Sequence, residues 1–378
     1  MGRVAQLDAL RGVAALSVVL GHLYLAYNGS ETGWVYRTAF SPFVSGAMAV
    51  VLFFVLSGFV LTLPYAAGKQ RSYPAFAVGR LIRLYPPVLT VVLASAALGC
   101  LIHGMPSPDD VRRSFRIWDE PVSWSNFATH LLAMGYPIDS IRLDPPVWSL
   151  IVEIRASLAF PLLLLIVIRF GVSSVVAFAV GSLLCIYAKS YIDNNSPVVS
   201  SSFGASLLLT GRYLVFFTMG IALALHIDTI KSVYNRIPRL GHAVLITASF
   251  ILASLVGYLS KTSSSLAYLL YGVLASYIIM ICVSSPLATR LLQPRAVRWL
   301  GNISFSLYLS HWPVLALVLY LTNGVVPLAA AVVLALPLIL VVAQAMEAWV
   351  ERPTHRAAKW AARTIDQRRL RTVGVASD

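Results

Sequence analysis

The chain has 378 residues, of which 58% are hydrophobic and 12% charged, with a formal net charge of +14 and a mean hydropathy of +0.78. A soluble domain carries about 25% charged residues, so a water-solvated surface around one core is excluded. In a soluble chain such a basic balance would suggest nucleic acid. Here the basic residues are placed as membrane topology requires, and no nucleic-acid partner is expected.

Apolar runs near the ~20 residues needed to cross a bilayer fall at 4–26, 42–63, 84–103, 146–168, 172–188, 206–226, 241–259, 266–284, 302–321 and 326–350. They predict an all-α polytopic membrane bundle with the lipid bilayer as solvent and both termini on one side. Lys and Arg are concentrated on that side, which makes the termini cytoplasmic under the positive-inside rule. The first run carries Arg11 and continues to His22 without a small-residue cleavage site, so it is read as a retained span rather than a signal peptide. Residues 1–353 form the membrane domain. Residues 354–378 form a basic tail with Trp360, suited to an anionic inner leaflet. The longest loop, 104–145, falls on the outer face. It mixes Trp118 and Trp124 with Asp109, Asp110, Asp119 and Glu120. Cys100, Cys185 and Cys282 each lie in an apolar run without metal-ligand spacing, so neither a metal site nor a permanently bound cofactor is expected.

A charged side chain within a span costs about 2.5–3.5 kcal/mol on insertion scales and marks a candidate site. In the first span Arg11 and His22 are eleven residues apart, close to three turns, so they share a face about 16.5 Å apart along the axis. The second span carries Phe53-Phe54-Val55-Leu56-Ser57-Gly58-Phe59, where Ser57 and Gly58 permit close helix approach. Arg80 and Arg83 stand at i, i+3 at the inner mouth of the third span, a pairing suited to phosphate. The fourth span opens Asp144-Pro145-Pro146-Val147-Trp148-Ser149 and reaches Glu153, one turn below Ser149 and at a depth expected to match His22. Arg212 enters the sixth. In the ninth, Ser304, Tyr308 and His311 recur at i, i+4, i+7 as a polar stripe. The tenth ends at Glu351-Arg352-Pro353, read as a helix stop.

Taken together, these segments resemble the acyltransferase-3 family of membrane O-acyltransferases. The likeness rests on Asp-Ala-Leu-Arg-Gly with a histidine eleven residues after the arginine, Phe-Phe-Val-Leu-Ser-Gly-Phe, Arg-x-x-Arg-x-x-Pro, Trp-Ser-Leu-x-x-Glu and Ser-Leu-Tyr-Leu-x-His-Trp-Pro, in that order from Leu7 to Pro353. The resemblance implies about ten helices, a cytoplasmic acyl-CoA donor with acetyl as the default acyl group, and a carbohydrate or glycolipid acceptor. It matches Arg11 and His22 to the family's essential pair, and Arg80 and Arg83 to its paired arginines. Ile154, Arg155, Ala156 and Ser157 depart from the acidic and aromatic continuation common in the family. With only a short basic stretch after residue 353, the esterase-like domain some members carry is not expected here.

On this reading His22 is a general base and Glu153 its orienting carboxylate. Arg11, Arg80 and Arg83 hold the donor phosphates. Ser57, Trp148, Ser149, Arg212, Ser304, Tyr308 and His311 line the site. The expected location is the inner membrane. A transporter of a small polar solute and a non-catalytic scaffold remain alternatives at this stage. The absence of an evident internal repeat weighs mildly against an inverted-repeat transporter.

Overall fold

A computed structural model describes residues 5–375 apart from 29–34, 36–43, 109, 125–126, 129–142, 193–201, 239, 246, 249–250 and 253–264. All regular elements among the described residues are helical. They are α1 (Ala5–Asn28), α2 (Gly46–Ala66), α3 (Tyr73–Ile102), a 3₁₀ turn (Arg113–Phe115), α4 (Val147–Phe170), α5 (Val172–Ile192), α6 (Phe203–Leu225), α7 (Ile227–Arg236), α8 (Ser265–Ser284), α9 (Pro286–Leu292), α10 (Arg295–Thr322), α11 (Leu328–Met346), a π turn (Glu347–Glu351) and α12 (Arg352–Val375). Among the described residues, eight helices are long and apolar enough to cross a membrane, or nine with the broken pair α8/α9, bent by 91°. About half of the expected span at 241–259 lies outside the described residues. The α5 helix leaves Val176, Val180 and Leu184 exposed, which is what a lipid-facing helix requires.

Two boundaries differ from expectation, for local reasons. The third helix starts at Tyr73, not near 84, because Ser72 stands at its N-cap and Pro74 in its first turn. Ser72 donates from its backbone N (3.1 Å) and its Oγ (2.6 Å) to Oδ1 of Asp366 in the tail. Gly79 lets α3 lie close to Ala358 and Ala362 of α12. Arg80 and Arg83 therefore sit inside α3 rather than at its mouth, and Pro86 and Pro87 fall within the helix. At the other boundary, Glu351-Arg352-Pro353 is not a stop. The chain passes through the π turn into α12, and Pro353 falls in the first turn of that helix, where a missing N–H is tolerated. Arg352 spans the π turn, donating to Glu347 from Nε (3.0 Å) and Nη2 (2.7 Å).

Two helix pairs organise the bundle, each built on reciprocal glycines. In α1/α10, a Cβ on Gly12 would collide with the backbone of Leu300 and Gly301, and one on Gly301 with that of Asp8 and Ala9. In α2/α6, a Cβ on Gly58 would meet the backbone of Phe217, and one on Gly220 that of Val55 and Phe59. Such backbone approach maximises dispersion contact where lipid provides no hydrophobic drive. The partners in each pair run parallel: Gly12 lies by Gly301 and His22 by His311, while Phe54 lies by Tyr213 and Gly58 by Phe217. Phe53 packs against both hydrophobic clusters of the core, one centred on α2, α4 and α6 and the other on α1, α10 and α11.

Candidate active site

The α1/α10 pair carries a polar centre at each level. Beyond the glycine contact, His22 of α1 meets His311 of α10, Nδ1 to Nε2 at 2.9 Å, with the rings nearly parallel at 6°. His311 is fully buried, and its Nδ1 lies 2.7 Å from the carbonyl oxygen of Tyr308. A carbonyl only accepts, so Nδ1 of neutral His311 carries the proton and its Nε2 is bare. That bare nitrogen takes the Nδ1–H of His22. The two contacts thus fix the tautomer of both rings and leave Nε2 of His22 as the free basic nitrogen. His22 is itself partly buried.

Around this centre, Trp312 sets its ring edge-on to His22 (4.5 Å between centroids, 71° between planes) and stacks on Phe115 (4.6 Å, 11°). One turn back along α10, the Tyr308 hydroxyl shares a 2.7 Å hydrogen bond with Ser149 at the start of α4. Ser149 also donates to the carbonyl of Pro146 at 3.0 Å. Ser95 of α3 donates to the carbonyl of Leu143 in the turn before α4. Asp144 lies in that turn, fully buried, with both carboxyl oxygens unpartnered among the described residues.

The second centre lies toward the Arg11 end of α1. Glu153 Oε1 accepts from Arg80 Nη2 and from Ser57 Oγ, each at 3.1 Å. Arg80 Nη2 also donates to Ser157 Oγ at 2.7 Å. Arg11 and Arg83 are both within electrostatic range of Arg80, and Arg83 also faces Glu351. Asp8 lies 3.7 Å from Arg11. Three guanidiniums thus gather among apolar helices, and the Nε–H of Arg80 is buried without a partner among the described residues. Such a cluster concentrates positive charge of a kind that suits an anion.

The expected pairing of Glu153 with His22 is not the arrangement found. Glu153 lies a turn beyond Ser149, on the arginine side, where Arg80 and Ser57 take up its carboxylate. The partner of His22 is the imidazole of His311. The remaining expected site residues divide. Tyr308, His311 and Ser149 join the histidine centre. Ser57, Arg11, Arg80 and Arg83 join the arginine centre. Ser304 donates to the carbonyl of Gly301 within its own helix. Trp148 and Arg212 both pack on Tyr213 (5.4 Å and 5.5 Å), and Arg212 also lies over Tyr268 at 4.2 Å.

Ser157, Asp144 and Trp312 are the site residues that sequence reasoning missed. A signal for the His22–His311 pairing was present: each histidine follows its contact glycine, Gly12 or Gly301, by ten residues. Among the described residues no His/Cys/Asp/Glu group is arranged to hold a metal ion.

The profile of an acyltransferase domain, that of the acyltransferase-3 family, matches residues 4–347. A Bacillus subtilis (strain 168) protein named for peptidoglycan O-acetyl transfer, YrhL, is 28% identical over 336 residues, covering 82% of this chain and 48% of the relative. Peptidoglycan O-acetyltransferase OatA of Listeria monocytogenes is 23% identical over 346 residues, covering 83% and 50%. Nodulation protein 10 of Rhizobium leguminosarum bv. viciae is 26% identical over 253 residues, covering 60% and 61%. The chain spans about half the length of the first two. No solved structure matches.

Proposed function

The chain belongs to the acyltransferase-3 family, and from that premise we propose that it moves an acyl group, acetyl by default, from acyl-CoA to a hydroxyl of a carbohydrate or glycolipid acceptor. The observation that carries this reading is the hydrogen-bond chain Tyr308 carbonyl–His311–His22, which leaves one bare imidazole nitrogen on His22. A general base needs a defined lone pair, and a neutral imidazole provides it.

In this reaction Nε2 of His22 takes the acceptor's hydroxyl proton as the oxygen attacks the thioester carbon. The tetrahedral intermediate collapses with cleavage of the C–S bond. The imidazolium returns the proton to the departing sulfur, so the products are an ester and free CoA thiol. His311 holds His22 in the reactive tautomer, the part a carboxylate plays in other acyl-transfer sites. Arg80, Arg83 and Arg11 bind the donor's phosphates, and the extended pantetheine arm bridges the distance from that end of α1 to His22. Glu153, with Ser57, holds Arg80 in place. In this reading the arginine centre faces the cytoplasm of an inner-membrane protein and the histidine centre faces outward. The peptidoglycan and nodulation names of the relatives support a carbohydrate acceptor.

The test has two arms. Purified protein in liposomes with acetyl-CoA and a soluble oligosaccharide acceptor should release CoA thiol, and His22→Ala should not. Mass spectrometry of envelope glycans from cells with and without the protein should show the loss of an ester-linked acyl group. Normal acylation by His22→Ala removes His22 from the mechanism.

A further inference from the structure

The indole of Trp312 is an anomaly. Its Nε1–H is buried and has no acceptor among the described residues, and the residue is 5% exposed. Leaving a buried donor unmet is destabilising. Phenylalanine would fill much of the same space without that cost, so packing alone does not account for tryptophan here. Nor is the ring loosely held. It stacks on the fully buried Phe115 of the 3₁₀ turn, and its plane stands across that of His22 at 4.5 Å. An orphan donor is thus fixed in a ring packed against His22, whose Nε2 the His311 contact leaves free.

We propose that the Nε1–H of Trp312 is a catalytic donor that stabilises the oxyanion formed when the acceptor hydroxyl adds to the thioester. The proposal rests on the acyl-transfer reading of the same site. As the acceptor oxygen bonds to the thioester carbon and its proton passes to His22, the carbonyl oxygen takes up the negative charge. The indole N–H donates to that oxygen. When the C–S bond breaks, the carbonyl re-forms and the donor is released, while His22 returns the proton to sulfur. A donor held in place beforehand, with no competing partner, needs no reorganisation at the moment of reaction. The carbonyl of the resting thioester is a weaker acceptor than the oxyanion, so the interaction acts on the transition state more than on binding.

The experiment replaces Trp312 with phenylalanine and, by non-canonical incorporation, with β-(3-benzothienyl)-alanine, which keeps the bicyclic shape and puts sulfur where the N–H was. Both are assayed in liposomes with acetyl-CoA as donor and chitotetraose as soluble acceptor, beside wild type and His22→Ala. The thienyl variant should keep the wild-type melting temperature and acetyl-CoA KM while kcat falls on the order of 10²-fold, the usual loss for one oxyanion donor. A thienyl variant with kcat within about threefold of wild type, well short of that loss, overturns the role of Trp312. If wild type itself releases no CoA while correctly folded, the acyl-transfer reading falls and this proposal with it. CoA release by wild type but not by His22→Ala upholds that reading, and the thienyl variant then tests Trp312 alone.

Discussion

Gly12 of α1 and Gly301 of α10 touch backbone to backbone, and the histidine pair of the site stands ten residues beyond them on parallel helices. At 1.5 Å rise per residue the two imidazoles are carried about 15 Å from the contact and arrive level. The glycines therefore set the register of the site as well as the packing.

Gly12→Val or Gly301→Val should separate the helices and part the imidazoles. Overpacking of this kind costs about 1–3 kcal/mol, and the collision here is with backbone, which yields least. A lower melting temperature together with loss of acyl transfer is expected. Gly181→Ala is the control, since a Cβ there meets nothing within 4 Å. Thermal unfolding in detergent, read beside CoA release, checks both.

His311 is a positioning residue, so its loss should act on turnover rather than on donor binding. His311→Phe keeps a ring but offers His22 no acceptor. Its kcat should fall on the order of 10²-fold, within the range for general-base catalysis, at unchanged acetyl-CoA KM. His311→Gln, whose amide oxygen accepts, should recover part of that. Equal loss in both variants would point to packing instead.

Much of this was legible in the residues alone. The spans stand out because apolar runs and charge placement report membrane insertion directly, and Arg11 and His22 stand out because charge and imidazole are rare there. What sequence could not give was which side chains meet across helices. Glu153 looked level with His22 because the tilt and start of α4 relative to α1 are properties of packing. Ser57 and Arg80, from two other helices, capture that carboxylate instead. Pro353 looked like a stop because the rule against proline applies to helix interiors, whereas here it opens a new helix after a π turn. Trp312 stood beside His311 in the Ser-Leu-Tyr-Leu-x-His-Trp-Pro segment but carried no sign of a role, since an unmet N–H becomes visible only when its surroundings are known.

The guanidinium cluster yields a prediction about donor chemistry. Arg83→Ala should raise the KM for acetyl-CoA about tenfold, the loss of about 1.4 kcal/mol expected for a weakened charge-assisted contact. It should leave S-acetylpantetheine, which carries no phosphate, unaffected. Equal effects on both donors would place the role of Arg83 elsewhere. Glu153→Gln should act differently. It removes the carboxylate that Arg80 pairs with in a partly buried contact, so the loss stays below the ~3–5 kcal/mol of a fully buried pair broken from one side, and the melting temperature falls whichever donor is present.

Asp144 gives the pH dependence. It lies outside the spans, in the turn before α4, and burial without a partner holds its carboxyl well above the usual carboxylate range. In the unfolded chain the same group titrates near pH 4 (about 3.9 for a free Asp). Below that pH both states are protonated and the group costs nothing. As pH rises, the unfolded chain releases the proton while the folded protein retains it, so stability falls until the folded carboxyl ionises too. The slope is about 1.4 kcal/mol per pH unit across that window. Asp144→Asn keeps the shape of the neutral acid and removes the titration. It should melt higher than wild type at pH 7 to 8, with the gap closing toward pH 4, as followed by thermal unfolding in one detergent across a buffer series. A gap independent of pH would mean that Asp144 is already charged and partnered when the protein is folded.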